Sequence, residues 1–109
     1  MQTLVQVVCT QGRSLRDAIV NDRGLAKFHL NVSKKKQPGR MRGWAKLHST
    51  EPAGQGAVNV EWDADANILL CRVVNRGKGR PHLIIGDLTN YLLRKHRSRI
   101  IAINVIPRK

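Results

Sequence analysis

Clusters of cationic side chains are the residues of this chain whose types and spacing suggest chemistry. The longest stretch without an acidic residue lies between Arg23 and Thr50 and holds eight Lys or Arg residues. Lys and Arg side chains neutralise phosphates and release the counterions that surround a nucleic-acid backbone. The run therefore predicts contact with a phosphate-bearing polymer.

The basic run has the pattern of a β-hairpin with a charged loop. Apolar residues alternate with polar ones over 27–33 and again over 42–50, and Pro38-Gly39 between them marks a turn. Pairing of these strands would leave one face apolar and the other basic. Trp44 would lie on the basic face, where its indole either stacks on a base or packs beneath a neighbour. The binding residues predicted here are Lys34, Lys35, Lys36, Arg40, Arg42, Trp44 and Lys46.

Two further basic clusters lie in the second half of the chain. In the first, over 76–80, two glycines would let backbone N–H groups approach an anion that three cations surround. The second lies at the end of a predicted helix, where cations also complement the negative end of the helix dipole, so a purely structural explanation competes. The binding residues predicted in these clusters are Arg76, Lys78, Arg80, Arg94, Lys95, Arg97 and Arg99.

Patterns for catalysis, metal binding or cofactor binding are not found, and we expect no enzyme activity, no metal and no cofactor. The four histidines lack zinc-ligand spacing, and no phosphate-loop or dinucleotide fingerprint occurs. Cys9 and Cys71 lie in apolar runs, where a thiolate is destabilised. Residues 63–67 begin like a calcium-binding loop, but Ile68 and Val74 stand where that loop needs Gly and Glu.

Composition predicts one folded basic domain over residues 1–109. The chain has a formal net charge of +13, a pI near 11.2 and 41% hydrophobic residues. No apolar run is long enough to span a membrane, and the first residues lack a secretion-signal pattern, so we expect no membrane partner. Two cysteines in apolar runs favour reduced thiols and a cytoplasmic location.

The spacing of apolar and polar residues along the chain predicts an α+β fold. It consists of a mainly antiparallel sheet of five or six strands with a long C-terminal helix against one face. Ser14 is expected to cap a short helix at Leu15–Val20. The long helix has Ile84, Leu88, Tyr91 and Leu92 on one face, and Gly86-Asp87 is an alternative start for it. Strands are predicted at 3–9, 27–33, 42–50, 58–62 and 68–75, the last of them central, and a buried strand is predicted at 99–106.

These features favour a small, non-enzymatic nucleic-acid-binding protein, with DNA and RNA not distinguished. An alternative is an interaction subunit of a larger assembly, such as a ribonucleoprotein, whose basic face meets an acidic protein or RNA. A sheet edge could also pair two copies of the chain. A metal-dependent nuclease built on Glu61, Asp63 and Asp65 ranks below these hypotheses, because it needs further converging carboxylates.

Overall fold

In the described part of the chain, six antiparallel strands form one sheet in the order β2-β3-β4-β5-β1-β6. The computed structural model describes residues 2–52, 56–75 and 80–108. The strands are β1 (Gln2–Cys9), β2 (Leu30–Lys34), β3 (Trp44–Ser49), β4 (Gly56–Asp63), β5 (Ile68–Asn75) and β6 (Ile100–Arg108). The helices are α1 (Leu15–Val20) and α2 (Pro81–Lys95), with 3-10 turns at Leu25–Phe28 and Arg97–Arg99. The predicted α+β fold with a helix packed on the sheet is confirmed.

Local signals explain where both helices begin. The Ser14 side chain accepts a hydrogen bond of 3.2 Å from the backbone N–H of Asp17, which confirms the predicted cap of α1. Helix α2 begins at Pro81 rather than at Gly86-Asp87. Proline suits the first helical position because its fixed φ matches the helix. Its lack of an N–H costs nothing there, because an N–H at that position has no partner within the helix.

The hydrophobic core lies between the two helices and one face of the sheet. Strand residues such as Val5, Leu47 and Cys71 meet Leu15 of α1 and Leu88 of α2, and all five are buried. Side chains alternate between the two faces of a strand, so their chain neighbours lie on the opposite face. We call this opposite face, which does not pack against α1 or α2, the open face.

Two predicted strands differ from the structure. The stretch 25–28 is a 3-10 turn and His29 has a φ of +64°, so β2 begins only at Leu30. The prediction that the strand at 99–106 is buried is wrong. Strand β6 lies at the edge of the sheet, and Ile101 is 65% and Val105 47% exposed. Strand β1 lies between β5 and β6, so the outer side of β6 has no neighbour in the described sheet.

Candidate nucleic-acid interface

A row of polar side chains crosses the open face on four adjacent strands. Lys34 of β2 pairs with Lys46 of β3, Lys46 pairs with Asn59 of β4, and Asn59 pairs with Arg72 of β5. Residues that pair directly point to the same face, and adjacent strands lie about 4.8 Å apart. The row is therefore about 15 Å long by the same spacing. It carries three cations.

Arg72 was not among the residues predicted from the sequence. It lies between Cys71 and Val73, which are both buried, and its own side chain is exposed. The alternation of apolar and charged residues was a signal for an exposed cation on β5. The sequence pattern does not show that Arg72 lies near the basic hairpin. The strand order shows it: β4 lies between β3 and β5 and places the uncharged Asn59 between Lys46 and Arg72.

Trp44 lies on the open face but does not present its indole to solvent. The residue is only 1% exposed, and its Nε1–H donates a hydrogen bond of 3.3 Å to Oδ1 of Asn59. The guanidinium carbon of Arg40 lies 5.1 Å from the centroid of the ring, which is a cation–π contact. The indole is therefore unavailable for base stacking, and the alternative of a packed indole holds. Its place in the site is to support Arg40.

The loop between β2 and β3 forms a cation-lined cavity with helix α1. The cavity has a volume of about 690 Å³. Among its described lining residues are four cations and no acid: Arg16, Lys36, Arg40 and Arg42, together with Gln37, Pro38 and Met41. Lys36, Arg40 and Arg42 were predicted from the sequence. Convergence of several cations on one concave surface produces a positive potential that attracts anions.

Arg16 joins the cavity from α1 and holds the loop in place. Its Nε–H donates to the carbonyl oxygen of Trp44 at 3.1 Å, and Nη2 donates to the carbonyl oxygen of Lys35. Its Nη1 lies 2.8 Å from Oδ1 of Asp17, and the Arg16 side chain is 11% exposed. Its fixed position and its carboxylate partner make Arg16 a support of the cavity more than a free phosphate ligand. No sequence pattern indicates that Arg16 belongs to this cavity, because only the tertiary fold brings α1 to this loop.

The other predicted cations do not join this site. Arg97 is exposed near the start of β6, five strand spacings from β2, a separation of about 24 Å. Arg94 and Lys95 are exposed at the end of α2, and the guanidinium carbon of Arg94 lies 6.0 Å from the centroid of the Phe28 ring, near the start of β2 and away from the hairpin loop. Arg99 is used structurally, since its Nη2 donates to the carbonyl oxygen of Thr10 at 3.2 Å. Arg80 follows β5 and lies at the opposite end of the sheet from the hairpin loop. Arg76 and Lys78 lie outside the described residues.

Acidic side chains line a second cavity at the end of the sheet where the hairpin loop lies. The cavity has a volume of about 780 Å³ and is lined by carboxylates from α1, β4 and the turn after β4: Asp17, Glu61, Asp63 and Asp65. It shares Met41 and Arg42 with the cation-lined cavity. In the described part of the chain, no three His, Cys, Asp or Glu side chains are grouped so as to hold a metal ion. The nuclease hypothesis thus gains no support from this cavity.

The two cysteines are free and buried. Burial is the main reason that the pKa of Cys71 is raised to about 12, and burial also raises the pKa of Cys9. Both thiols therefore stay protonated near neutral pH, which disfavours nucleophilic chemistry.

No family model, curated protein or solved structure matches this chain. None of the described helices is long and apolar enough to cross a bilayer. The candidate interface consequently depends on its geometry and charge alone.

Proposed function

We propose that the protein binds nucleic acid by contacts to the phosphate backbone. The binding surface comprises the cation-lined cavity and the neighbouring row on the open face, and we call it the basic track: Lys34, Lys36, Arg40, Arg42, Lys46 and Arg72. The observation that carries the proposal is the cavity, where four cations converge without a carboxylate among the described lining residues. A polyanion bound there would relieve the self-repulsion of a chain with a net charge of +13.

The row on the open face extends the cavity into a surface for several phosphates. The loop follows Lys34 of the row, and its Arg40 lies over the ring of Trp44, two residues before Lys46 of the row. The row is about 15 Å long and carries three cations, so we expect it to neutralise up to three phosphates. Because the indole of Trp44 is covered, affinity here comes from charge, and binding depends little on base sequence.

The proposed function is binding and not catalysis, and we place the protein in a reducing, cytoplasmic compartment. Two buried free thiols with raised pKa values fit such a compartment, where disulfides are rare. A role as a subunit of a larger assembly is compatible with the same surface.

Fluorescence anisotropy tests the proposal with labelled single- and double-stranded DNA and RNA at about 50 and 200 mM salt, a range over which phosphate contacts weaken strongly. The informative variant is K36E/R40E, which reverses two charges of the basic track. Its matched control is R23E/K27E, which makes the same change of charge at two exposed residues near the opposite end of β2.

We expect binding that weakens steeply with salt for the wild type. K36E/R40E should lose about tenfold or more in affinity, and R23E/K27E about threefold or less, because distant charges act only through the screened overall field. Equal losses in both variants would assign the binding to net charge and contradict the basic track. Affinity that does not change with salt would contradict phosphate binding altogether.

A further inference from the structure

Strand β6 forms one edge of the described sheet, is uncharged over residues 100–107, and has no strand paired to its outer side there. Residues 100–107 carry no charged side chain, and in the described sheet only β1 pairs with β6. Four of the five exposed large hydrophobic residues in the described part of the chain lie on β6 or near the end of α2: Leu93, Ile101, Val105 and Ile106. An unpaired strand edge offers backbone N–H and C=O groups to another extended segment.

The two edges of the sheet differ in how they are protected. The opposite edge, β2, is only five residues long, ends in Lys34 and has a register irregularity between Val32 and Lys34. Short length, lysine and bulges are the features that discourage pairing at an edge. In β6 the irregularity lies at its start, and residues 102–107 pair regularly with β1. Of residues 102–107, only Pro107 discourages pairing at this edge, because it has no N–H to donate.

Charge selects the occupant of the β6 edge. Arg97 and Arg99 precede the uncharged stretch, and Arg108, the last residue of β6, follows it. A second copy paired antiparallel would bring the cations at the start of one strand beside those at the end of the other, and like charges opposite each other destabilise a strand pair. A strand with carboxylates at its two ends would instead complement these cations.

We infer that β6 binds an extended segment of an acidic partner protein by β-strand addition. The segment has apolar side chains in alternation, which pack beside Ile101 and Val105, and acidic residues beyond each end of the paired stretch. This surface lies at the opposite edge of the sheet from β2 and is separate from the basic track. The inference does not depend on nucleic-acid binding.

A labelled synthetic peptide of about ten residues tests this inference, a length close to that of the β6 edge. The probe alternates valine and threonine between two acidic residues at each end. One control peptide has the same charge and a central proline pair, which prevents strand pairing, and another has lysine in place of the acidic residues. Anisotropy measures affinity, and hydrogen exchange locates the amides that become protected.

We expect the acidic-ended peptide to bind and to protect amides within 101–106, and the proline and lysine peptides to bind about tenfold more weakly or worse. V105K and I101K should each lower affinity for the probe about tenfold, because a lysine on an edge strand blocks pairing. A26K is the matched control, since Ala26 is also an exposed apolar residue but lies in the 3-10 turn at Leu25–Phe28, outside both the β6 edge and the basic track, and it should stay within about twofold of the wild type.

Four outcomes would overturn the inference. They are no binding of the acidic-ended peptide at millimolar concentration, equal binding of the proline peptide, equal binding by V105K, and a dimer in light scattering that V105K abolishes. The last outcome would assign the edge to a second copy. V105K should retain the nucleic-acid affinity of the wild type, so the two proposals fail separately.

Discussion

The Nε–H of Arg16 donates a hydrogen bond of 3.1 Å to the carbonyl oxygen of Trp44 and so ties helix α1 to the first residue of strand β3. A second bond from the same guanidinium reaches the carbonyl oxygen of Lys35 on the other side of the hairpin loop. These two carbonyls flank the loop where β2 and β3 separate. One planar side chain therefore closes the base of the loop that carries most of the basic track.

Replacement of Arg16 by alanine should loosen this loop and lower stability. Hydrogen bonds from charged donors contribute about 1.5–3 kcal/mol each at most, so we expect R16A to reduce the free energy of unfolding by about 2 kcal/mol. R16K should recover only part of the loss, because an ammonium lacks the planar fork that reaches both carbonyls. Urea denaturation measures both variants. A free energy within about 0.3 kcal/mol of the wild type in R16A would contradict this role.

Local patterns predicted the elements that depend on neighbouring residues. The Ser14 cap needs only Asp17 three residues later, and the central position of β5 follows from Ile68, Leu69 and Leu70, which are apolar on both faces. The charged hairpin loop was likewise visible because its cations and its Pro-Gly turn are contiguous in the chain. These elements could be predicted because the residues that determine each of them are close together in the sequence.

The parts that sequence analysis missed depend on strand order. Arg72 joins the basic track only because β5 lies two strands from β3, and Arg16 joins the cavity only because α1 packs near the hairpin. A strand that is apolar on both faces predicts burial, but the pattern does not say what buries it. That is why β6 was expected inside the sheet and lies at its edge. Trp44 is covered by Arg40, a contact that alternation alone does not predict.

Removal of the Arg72 charge should weaken nucleic-acid binding in a way that salt dependence reveals. Each phosphate contact contributes about 0.9 to the slope of log affinity against log salt for B-DNA, and about 0.7 for single strands. We expect R72Q to reduce the slope by about one such contact. K27Q is the matched control, since Lys27 is exposed near the other end of β2, and its slope should equal that of the wild type. An unchanged slope in R72Q would remove Arg72 from the basic track.

A partly buried hydrogen-bond chain links the end of α2 to the segment after α1. The Tyr91 hydroxyl lies 2.9 Å from Oδ2 of Asp22 and 2.9 Å from Nε2 of His96. An ionised carboxylate only accepts, so Tyr91 donates to Asp22 and neutral His96 donates to Tyr91. Burial raises the pKa of Tyr91, with the hydrogen bond to Asp22 adding to the effect. The hydroxyl therefore stays a donor across the working pH range.

The stability of the fold should decrease as pH falls below 7, because of His96. Burial is the main reason that the pKa of His96 lies below its usual value; nearby Arg99 and Lys95 lower it further, and Asp22 opposes them. Between the lowered folded pKa and the unfolded value near 6.5, the unfolded chain binds more protons, so acidification favours unfolding. Urea denaturation at several pH values should show this loss in the wild type and less of it in H96Q. Identical pH profiles for the two would rule out His96 as the cause.

A second loss of stability should follow at lower pH, because of Asp22. Burial would raise the pKa of this carboxyl, but the hydrogen bonds from the Gly24 N–H and Tyr91, with the charges of Lys95 and His96, lower it overall. A lowered carboxyl pKa stabilises the fold above the unfolded pKa near 3.9, and this contribution is lost as pH falls through the folded value. D22N should lack the loss, while H96Q keeps it. Acid titrations that coincide for D22N and the wild type would contradict the prediction.

Alanine substitutions at Gly43 and Gly86 should have opposite effects on stability. Of these two glycines, Gly43 lies against the backbone of strand β4 and Gly86 does not lie against another element. A Cβ on Gly43 would lie 2.7 Å from the carbonyl oxygen and 3.1 Å from the nitrogen of Trp62, whose N–H donates to Gly43 at 2.9 Å. G43A should therefore cost about 1–3 kcal/mol and displace the hairpin loop, lowering nucleic-acid affinity as well. A Cβ on Gly86, within α2, meets nothing within 4 Å, so G86A should stabilise the fold by about 0.5–1 kcal/mol. Denaturant unfolding of both variants checks the pair, and a G43A protein as stable as the wild type would mean that the loop does not pack against β4 in this way.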